Sequence, residues 1–168
     1  MSSGVCQPAR SREDISLLAK MAEEIWTEHY AGLLSGEQIG YMVEKFQSER
    51  AIGEQLAHQG YAYYFLMDGE ERAGYLAIQR QGDGRLFLSK LYLYKERRGK
   101  RIASRALAFL EALCREEGLS SIWLTVNRGN AGSVAVYQRL GFRTVRSEAT
   151  DIGSGFVMDD YIMEKPVL

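Results

Sequence analysis

The stretch RLFLSKLYLYKERRGKRIASRAL, residues 85–107, decides how the rest of the chain is read. Its first half alternates as a strand does and then slips, with Leu86 and Leu88 at even positions and Leu91 and Leu93 at odd ones. A strand repeats every two residues. A change of parity therefore calls either for a β-bulge near Ser89 and Lys90, or for a central strand buried on both faces, where parity carries no information. The second half opens a helix, because Ile102, Ala103, Ala106, Leu107, Leu110 and Leu113 recur at helical spacing. Its entrance holds Lys95, Arg97, Arg98, Lys100 and Arg101, where the helix macrodipole already places positive partial charge and Asp or Glu is normally favoured. Crowded cations at a helix start predict an anionic ligand, and phosphate is the commonest group to use both the free N–H groups and the dipole. Arginine and lysine add charge-assisted hydrogen bonds, Gly99 lets a ligand approach the backbone, and Ala103 and Ser104 keep the first turn slim. The arrangement suits a pyrophosphate.

Upstream, GVCQPAR reads as a short strand, and SREDISLLAKMAEEIWTEHY as a helix with Ile15, Leu18, Ala22, Ile25 and Trp26 on one face. Ser11 with Asp14 forms a capping-box pattern. SGEQIGYMVEKFQS repeats the helical period, and ERAIGEQLAHQG is expected to extend that helix. From Gly60 the runs YAYYFLMDG, ERAGYLAIQ and RLFLSKLYLY, separated by DGEE and QGDG, read as an antiparallel meander. Downstream come the basic helix to about Gly118, a strand SSIWLTV, a helix from near Asn130 to RLGF, and two last strands, FRTVRSEAT and GFVMDDYIMEK. The order of helices, three strands, helix, strand, helix and two strands is that of a mixed α/β (α+β) protein.

At 168 residues the chain suits one domain, residues 1–168, better than two. With 46% hydrophobic and 26% charged residues it has the composition of a globular protein. No apolar run approaches a membrane span and no secretory signal pattern opens the chain, so the expectation is a cytoplasmic protein that does not bind a membrane. A net charge of −1 argues against a nucleic-acid partner, since the basic cluster is local. Cys6 and Cys114 have no C-x-x-C companion, so neither a disulfide framework nor a metal site is expected, and Cys114 should pack as a small hydrophobe.

No G-x-x-x-x-G-K-[ST] or G-x-G-x-x-G loop is present. The segment LYLYKERRGKRIASRAL instead resembles the acetyl-CoA loop of the GNAT superfamily of N-acetyltransferases, whose signature is Arg or Gln, two residues, Gly, one residue, then Gly or Ala. Here the frame falls on Arg98, Arg101 and Ala103, so Arg101 stands where the family has its middle glycine. VNRGNAGSVAVYQRLGF is similar to the family's following strand, helix and GF ending. The resemblance implies a largely antiparallel sheet of six to seven strands flanked by helices, with a bulged strand just before the loop. It implies acetyl-CoA as co-substrate with no metal, held by Arg98, Gly99, Lys100, Arg101, Ile102, Ala103 and Ser104 and by backbone groups of Leu91 and Leu93. Asn130 and Tyr137 are seven apart and so on one helix face; the resemblance implies that Asn130 holds the pantetheine arm or orders the loop, and that Tyr137 protonates the departing thiolate.

Transfer to an amine also needs a base, since a primary amine with a pKa near ~10.4 is mostly protonated at neutral pH. The bulged strand supplies no acid, so the base stays unassigned. Acceptor-side candidates are Glu28, His29, Tyr30, Asp159 and Asp160, although the pattern favours reading His29 as a surface or satisfied half-buried histidine and Glu28 as part of a solvated helix face. The chain as a whole is broadly like bacterial family members that include polyamine acetyltransferases, which implies a small amine acceptor. A protein lysine or N-terminus, or a noncatalytic acyl-CoA sensor, are the alternative readings. A homodimer is expected from symmetry statistics.

Overall fold

Three serines start the helices of the first third. The Ser11 hydroxyl accepts the Asp14 N–H at 3.0 Å while the Asp14 carboxylate accepts the Ser11 N–H at 3.1 Å, the reciprocal box that opens α1 (Arg12–Tyr30). Ser35 caps α2 (Gly36–Gln47) through the Gln38 N–H, and Ser48 caps α3 (Glu49–His58) through the Ala51 N–H. The sequence reading ran α2 into α3. Ser48, extended at ψ 163°, instead ends one helix and starts the next, because its hydroxyl offers the backbone a better partner than the helix continuation does.

The computed structural model describes residues 4–168. Its strands are β1 (Cys6–Ala9), β2 (Tyr61–Asp68), β3 (Glu71–Arg80), β4 (Leu86–Leu93), β5 (Ser121–Asn127), β6 (Arg143–Gly153) and β7 (Phe156–Pro166). Two further helices, α4 (Ile102–Glu117) and α5 (Ala131–Arg139), follow β4 and β5. All seven strands join in one sheet in the order β1-β2-β3-β4-β5-β7-β6, antiparallel except for β4 with β5.

Alternation along the strands splits the core in two. On one face Tyr63, Phe65, Tyr75 and Ala77 lie under α1, α2 and α3, against Leu18, Ile25, Trp26 and Ile52. The YAYYF run is thus sheet and core. The buried phenols of Tyr63 and Tyr75 are satisfied by a chain of hydrogen bonds: Trp26 Nε1 donates to Tyr75 OH at 2.7 Å, Tyr75 OH to Gln47 Oε1 at 2.6 Å, Gln47 Nε2 to Tyr63 OH at 2.9 Å, and Tyr63 OH to Gln55 Oε1. On the other face Leu76, Ile78, Leu86, Leu88, Ile122 and Leu124 pack on Ile102, Ala106, Leu107, Leu110 and Cys114 of α4, so Cys114 is the buried small hydrophobe expected. Among the described residues, no helix is long and apolar enough to cross a membrane, and no cluster of three or more acids, histidines or cysteines is arranged to hold a metal.

Candidate active site

The site begins where two strands part. β4 and β5 pair only at Leu86 with Ile122 and Phe87 with Trp123, after which β4 continues to Leu93 and β5 to Asn127 unpaired with each other. The separation is aided by a bulge: Ala77 of β3 pairs with Lys90 and Ile78 with Leu88, leaving Ser89 extra. The parity slip in the sequence is this bulge. Past it, the Tyr94 N–H donates to the Ala73 carbonyl at 2.9 Å, so Tyr94 and Tyr92 turn their backbone groups to β3. By alternation Leu91 and Leu93 present N–H and C=O to the open side. These are the two residues whose backbone groups the resemblance implies for contact with the cofactor.

Beyond β4 a short 3-10 turn, Lys95–Arg97, leads to a loop in which Gly99 (φ 81°) and Arg101 (φ 63°) are left-handed on either side of Lys100. Alternating handedness of this kind curls successive N–H groups into an anion-binding concavity. α4 then starts with no side-chain cap and no acid in its first turn, whereas Ser11, Ser35, Ser48 and Asn130 cap the other four helices. The N–H groups at Ile102, Ala103 and Ser104 are left for a ligand. Arg101, in a conformation that favours glycine, explains why the resembled signature has glycine there.

Part of the positive charge is already balanced. Arg97 pairs with Asp68 and Glu71, each at 2.9 Å, and Lys100 reaches Asp68 at 3.2 Å. Arg98, Arg101 and Lys95 make no ion pair among the described residues, and Arg98 bonds only the Leu93 carbonyl, at 3.5 Å. Glu28, expected on the acceptor side, accepts the Lys95 N–H at 2.8 Å and so fastens α1 to the loop.

Between the splayed strands lies a narrow pocket of about 40 Å³, lined by His29, Tyr30, Ser89, Leu91, Tyr92, Asn127, Asn130, Ser133 and Tyr137 among others. Asn130 and Tyr137 come together there, as their spacing on α5 required. Asn130 caps α5 through Oδ1, which accepts the Ser133 N–H at 3.0 Å, and its Nδ2 lies 2.9 Å from His29 Nε2. The Tyr137 ring packs edge-on against Phe142, and its hydroxyl has no hydrogen-bond partner among the described residues. Burial pushes the phenol's pKa well up, so it stays protonated and holds a proton to donate. Tyr30 OH and Tyr92 OH lie 3.0 Å apart, with burial pushing Tyr30 up to about 12.

The acidic pair of β7 divides. Asp159 faces solvent and contacts Arg128 at 3.5 Å, while Asp160 is half-buried, paired in register with Asn127 of β5 and Glu148 of β6. β7 is an interior strand, with β6 at the edge beyond it. Tyr92, Asn127 and Ser133 were not foreseen at the site. Asn127 had no local signal, and Ser133 follows from recognising Asn130 as an N-cap.

A family model described as "Acetyltransferase (GNAT) family" matches residues 18–142. A spermidine N(1)-acetyltransferase of Thermoplasma acidophilum is 28% identical over 153 residues, covering 89% of this chain and 92% of that protein. An uncharacterized N-acetyltransferase of Lactobacillus delbrueckii subsp. lactis is 22% identical over 165 residues, with 94% and 95% covered. The crystal structure of the PaiA N-acetyltransferase of Thermoplasma acidophilum, in complex with coenzyme A, superposes with a TM-score of 0.77 at 25% identity, covering 94% of this chain and 96% of that one. A GCN5-related N-acetyltransferase structure from Rhodopseudomonas palustris reaches the same TM-score at 16% identity, over 97% and 95% of the two chains, and so shares the fold.

Proposed function

The chain belongs to the acetyltransferase (GNAT) family and is an acetyl-CoA-dependent N-acetyltransferase; from that premise we propose that it acetylates a primary amine of a small polyamine-like acceptor by direct attack in a ternary complex. The reading takes residues 1–168 as one acetyltransferase domain, in keeping with a single sheet running from Cys6 to Pro166.

The observation that carries it is the opening between β4 and β5, with unpaired backbone on one lip and Tyr137 on the other. Acetyl-CoA supplies an activated acyl group and a thiolate leaving group. The chain's share is to bind, orient and move protons. N–H groups from Gly99 to Ser104, with Arg98 and Arg101, bind the pyrophosphate, and Lys100 adds charge shared with Asp68. The Leu91 N–H polarises the thioester carbonyl, while Leu93 pairs the pantetheine arm in the manner of a strand. Asn130 orders the turn between β5 and α5 beside that arm, and the Tyr137 hydroxyl protonates the sulfur. On the acceptor side, Tyr30 and His29 line the pocket and Asp160 lies in register beside Asn127, which also lines it, and the spermidine acetyltransferase relative favours a polycationic amine. PaiA bound to coenzyme A supports the cofactor assignment.

The test is release of free CoA from acetyl-CoA across a panel of spermidine, spermine, monoamines, lysine peptides and free peptide N-termini. Turnover fastest with a polyamine supports the reading. Peptide preference moves it to a protein acetyltransferase, and CoA binding without turnover moves it to a sensor. With the active amine, Tyr137→Phe should slow transfer about 10²-fold or more at unchanged CoA affinity; parental activity in that variant removes Tyr137 from the reaction.

A further inference from the structure

Acetyl transfer to an amine leaves one role without an owner, the group that takes the ammonium proton. β4 has no acid near its bulge, and its Lys90 amine is itself buried, donating to Ser89 Oγ at 2.7 Å. Glu28 is committed to the Lys95 N–H. His29 spends Nε2 on Asn130. Asp68, Asp83, Asp14 and Glu117 are acids with partners, and those partners hold each carboxyl below its ordinary range.

Asp160 differs from all of these. It lies midway along β7, across the strand register from Asn127, which lines the pocket. Its Oδ1 is shut away from water with no hydrogen-bond partner among the described residues. A buried, unpartnered carboxylate oxygen is expensive to keep and calls for an explanation in what it binds. The charged or titratable groups that act on it are Asp159 beside it, Glu148 opposite on β6, and Tyr30 of α1, which its charge affects in turn. None is a cation. Arg128 is drawn outward to Asp159.

We propose that Asp160 is the base that accepts the proton shed by the acceptor's ammonium group, a role that rests on the acetyltransferase reading and completes its acceptor side. An arriving ammonium supplies the charge and the donor that the carboxylate lacks. One proton passes from nitrogen to the carboxylate and on to solvent. The freed lone pair forms the C–N bond as the C–S bond breaks, its electron pair leaves on sulfur, and the sulfur takes the Tyr137 phenolic proton. The second nitrogen proton restores the phenol. Burial and the two neighbouring acids raise Asp160 to about 6, which keeps it ionised near neutrality yet basic enough for the transfer.

The experiment measures kcat/KM for spermidine against pH from 5 to 9 in the parent, Asp160→Asn, Asp160→Glu and Glu148→Gln, with CoA affinity by calorimetry. The parent should show an acid limb near pH 6. Asp160→Asn should lose about 10²-fold or more at pH 7.5 together with that limb, and bind CoA as the parent does. Asp160→Glu should recover part of the rate, and Glu148→Gln should move the limb to lower pH by removing a like charge. Asp160→Asn within threefold of the parent with the limb intact overturns the proposal, as does a loss of rate that accompanies lost CoA binding. A parent that turns over no amine at all overturns the acetyltransferase reading instead.

Discussion

His29 Nε2 and Asn130 Nδ2 meet at 2.9 Å across the mouth of the pocket, joining the end of α1 to the start of α5. Asn130 Oδ1 is held by the Ser133 N–H, so the amide nitrogen must face the ring. Nε2 is then an acceptor, and the ring is neutral with its proton on Nδ1.

The pKa follows this geometry. Burial, then the Arg98 charge, hold His29 down to about 4, against a weaker upward pull from Glu28. Between pH 4 and 6.5 the unfolded chain binds a proton that the folded one does not, so stability is full above about 6.5 and falls as pH drops toward 4. His29→Gln, which keeps an acceptor, should remove on the order of 2 kcal/mol of that acid sensitivity. Denaturant midpoints at pH 4.5 and 7.5 read it, and an NMR titration of His29 with a midpoint near 6.5 would refute it.

The loop cations should separate by partner. Arg98→Ala removes an unpaired guanidinium and should weaken CoA binding by about tenfold or more, the scale of one charge-assisted hydrogen bond. Arg97→Ala unpairs Asp68 and Glu71 and should act on the fold more than on CoA. Arg101→Gly relieves a left-handed side-chain conformation and should stabilise the chain by about 1 kcal/mol while weakening CoA binding. Calorimetry with CoA beside thermal melts distinguishes the three, and equal CoA affinity in all of them would take the pyrophosphate away from this loop.

What could be read beforehand was what neighbours in the chain encode. The bulge at Ser89 was written in the parity of four leucines, the α1 cap in Ser11 and Asp14, and the start of α4 in the helical spacing that follows the crowded cations. Partnerships across the sheet were not legible. Asp68 is 32 residues from Lys100, and His29 is 101 residues from Asn130. The inward turn of Asp160 depends on β7 lying between β5 and β6, a strand order that no periodicity states. The same holds for Glu28, whose helix face looks solvated until the loop after β4 folds over it.

Gly74 sets how closely the far arm of β4 approaches β3. A Cβ there would sit 2.0 Å from the Tyr92 carbonyl oxygen and 2.8 Å from the Leu93 Cα, both backbone atoms. Gly74→Ala must push the strand aside and should cost about 1 to 3 kcal/mol, with a loss of CoA affinity because Leu93 moves. Gly40→Ala on the exposed side of α2 meets nothing within 4 Å and should stabilise by up to about 1 kcal/mol. Urea midpoints of the two variants should shift in opposite directions; a neutral Gly74→Ala would mean that β3 and β4 are free to separate there.

Lys90 is the clearest place where the fold carries a cost. Its amine is buried against the bulge with Ser89 Oγ as partner, and burial alone draws it down to about 8 from 10.5. Between those values the unfolded chain binds the proton that the native chain gives up, so stability should rise with pH from about 8 to 10.5, and the full penalty applies below 8. Lys90→Met keeps the length of the side chain and removes the charge. It should raise stability at pH 7 by on the order of 2 kcal/mol and flatten the rise above pH 8. Unfolding free energies at pH 7 and pH 10 decide the matter: a variant less stable than the parent at both would show that the amine has a partner whose attraction exceeds the cost of its burial.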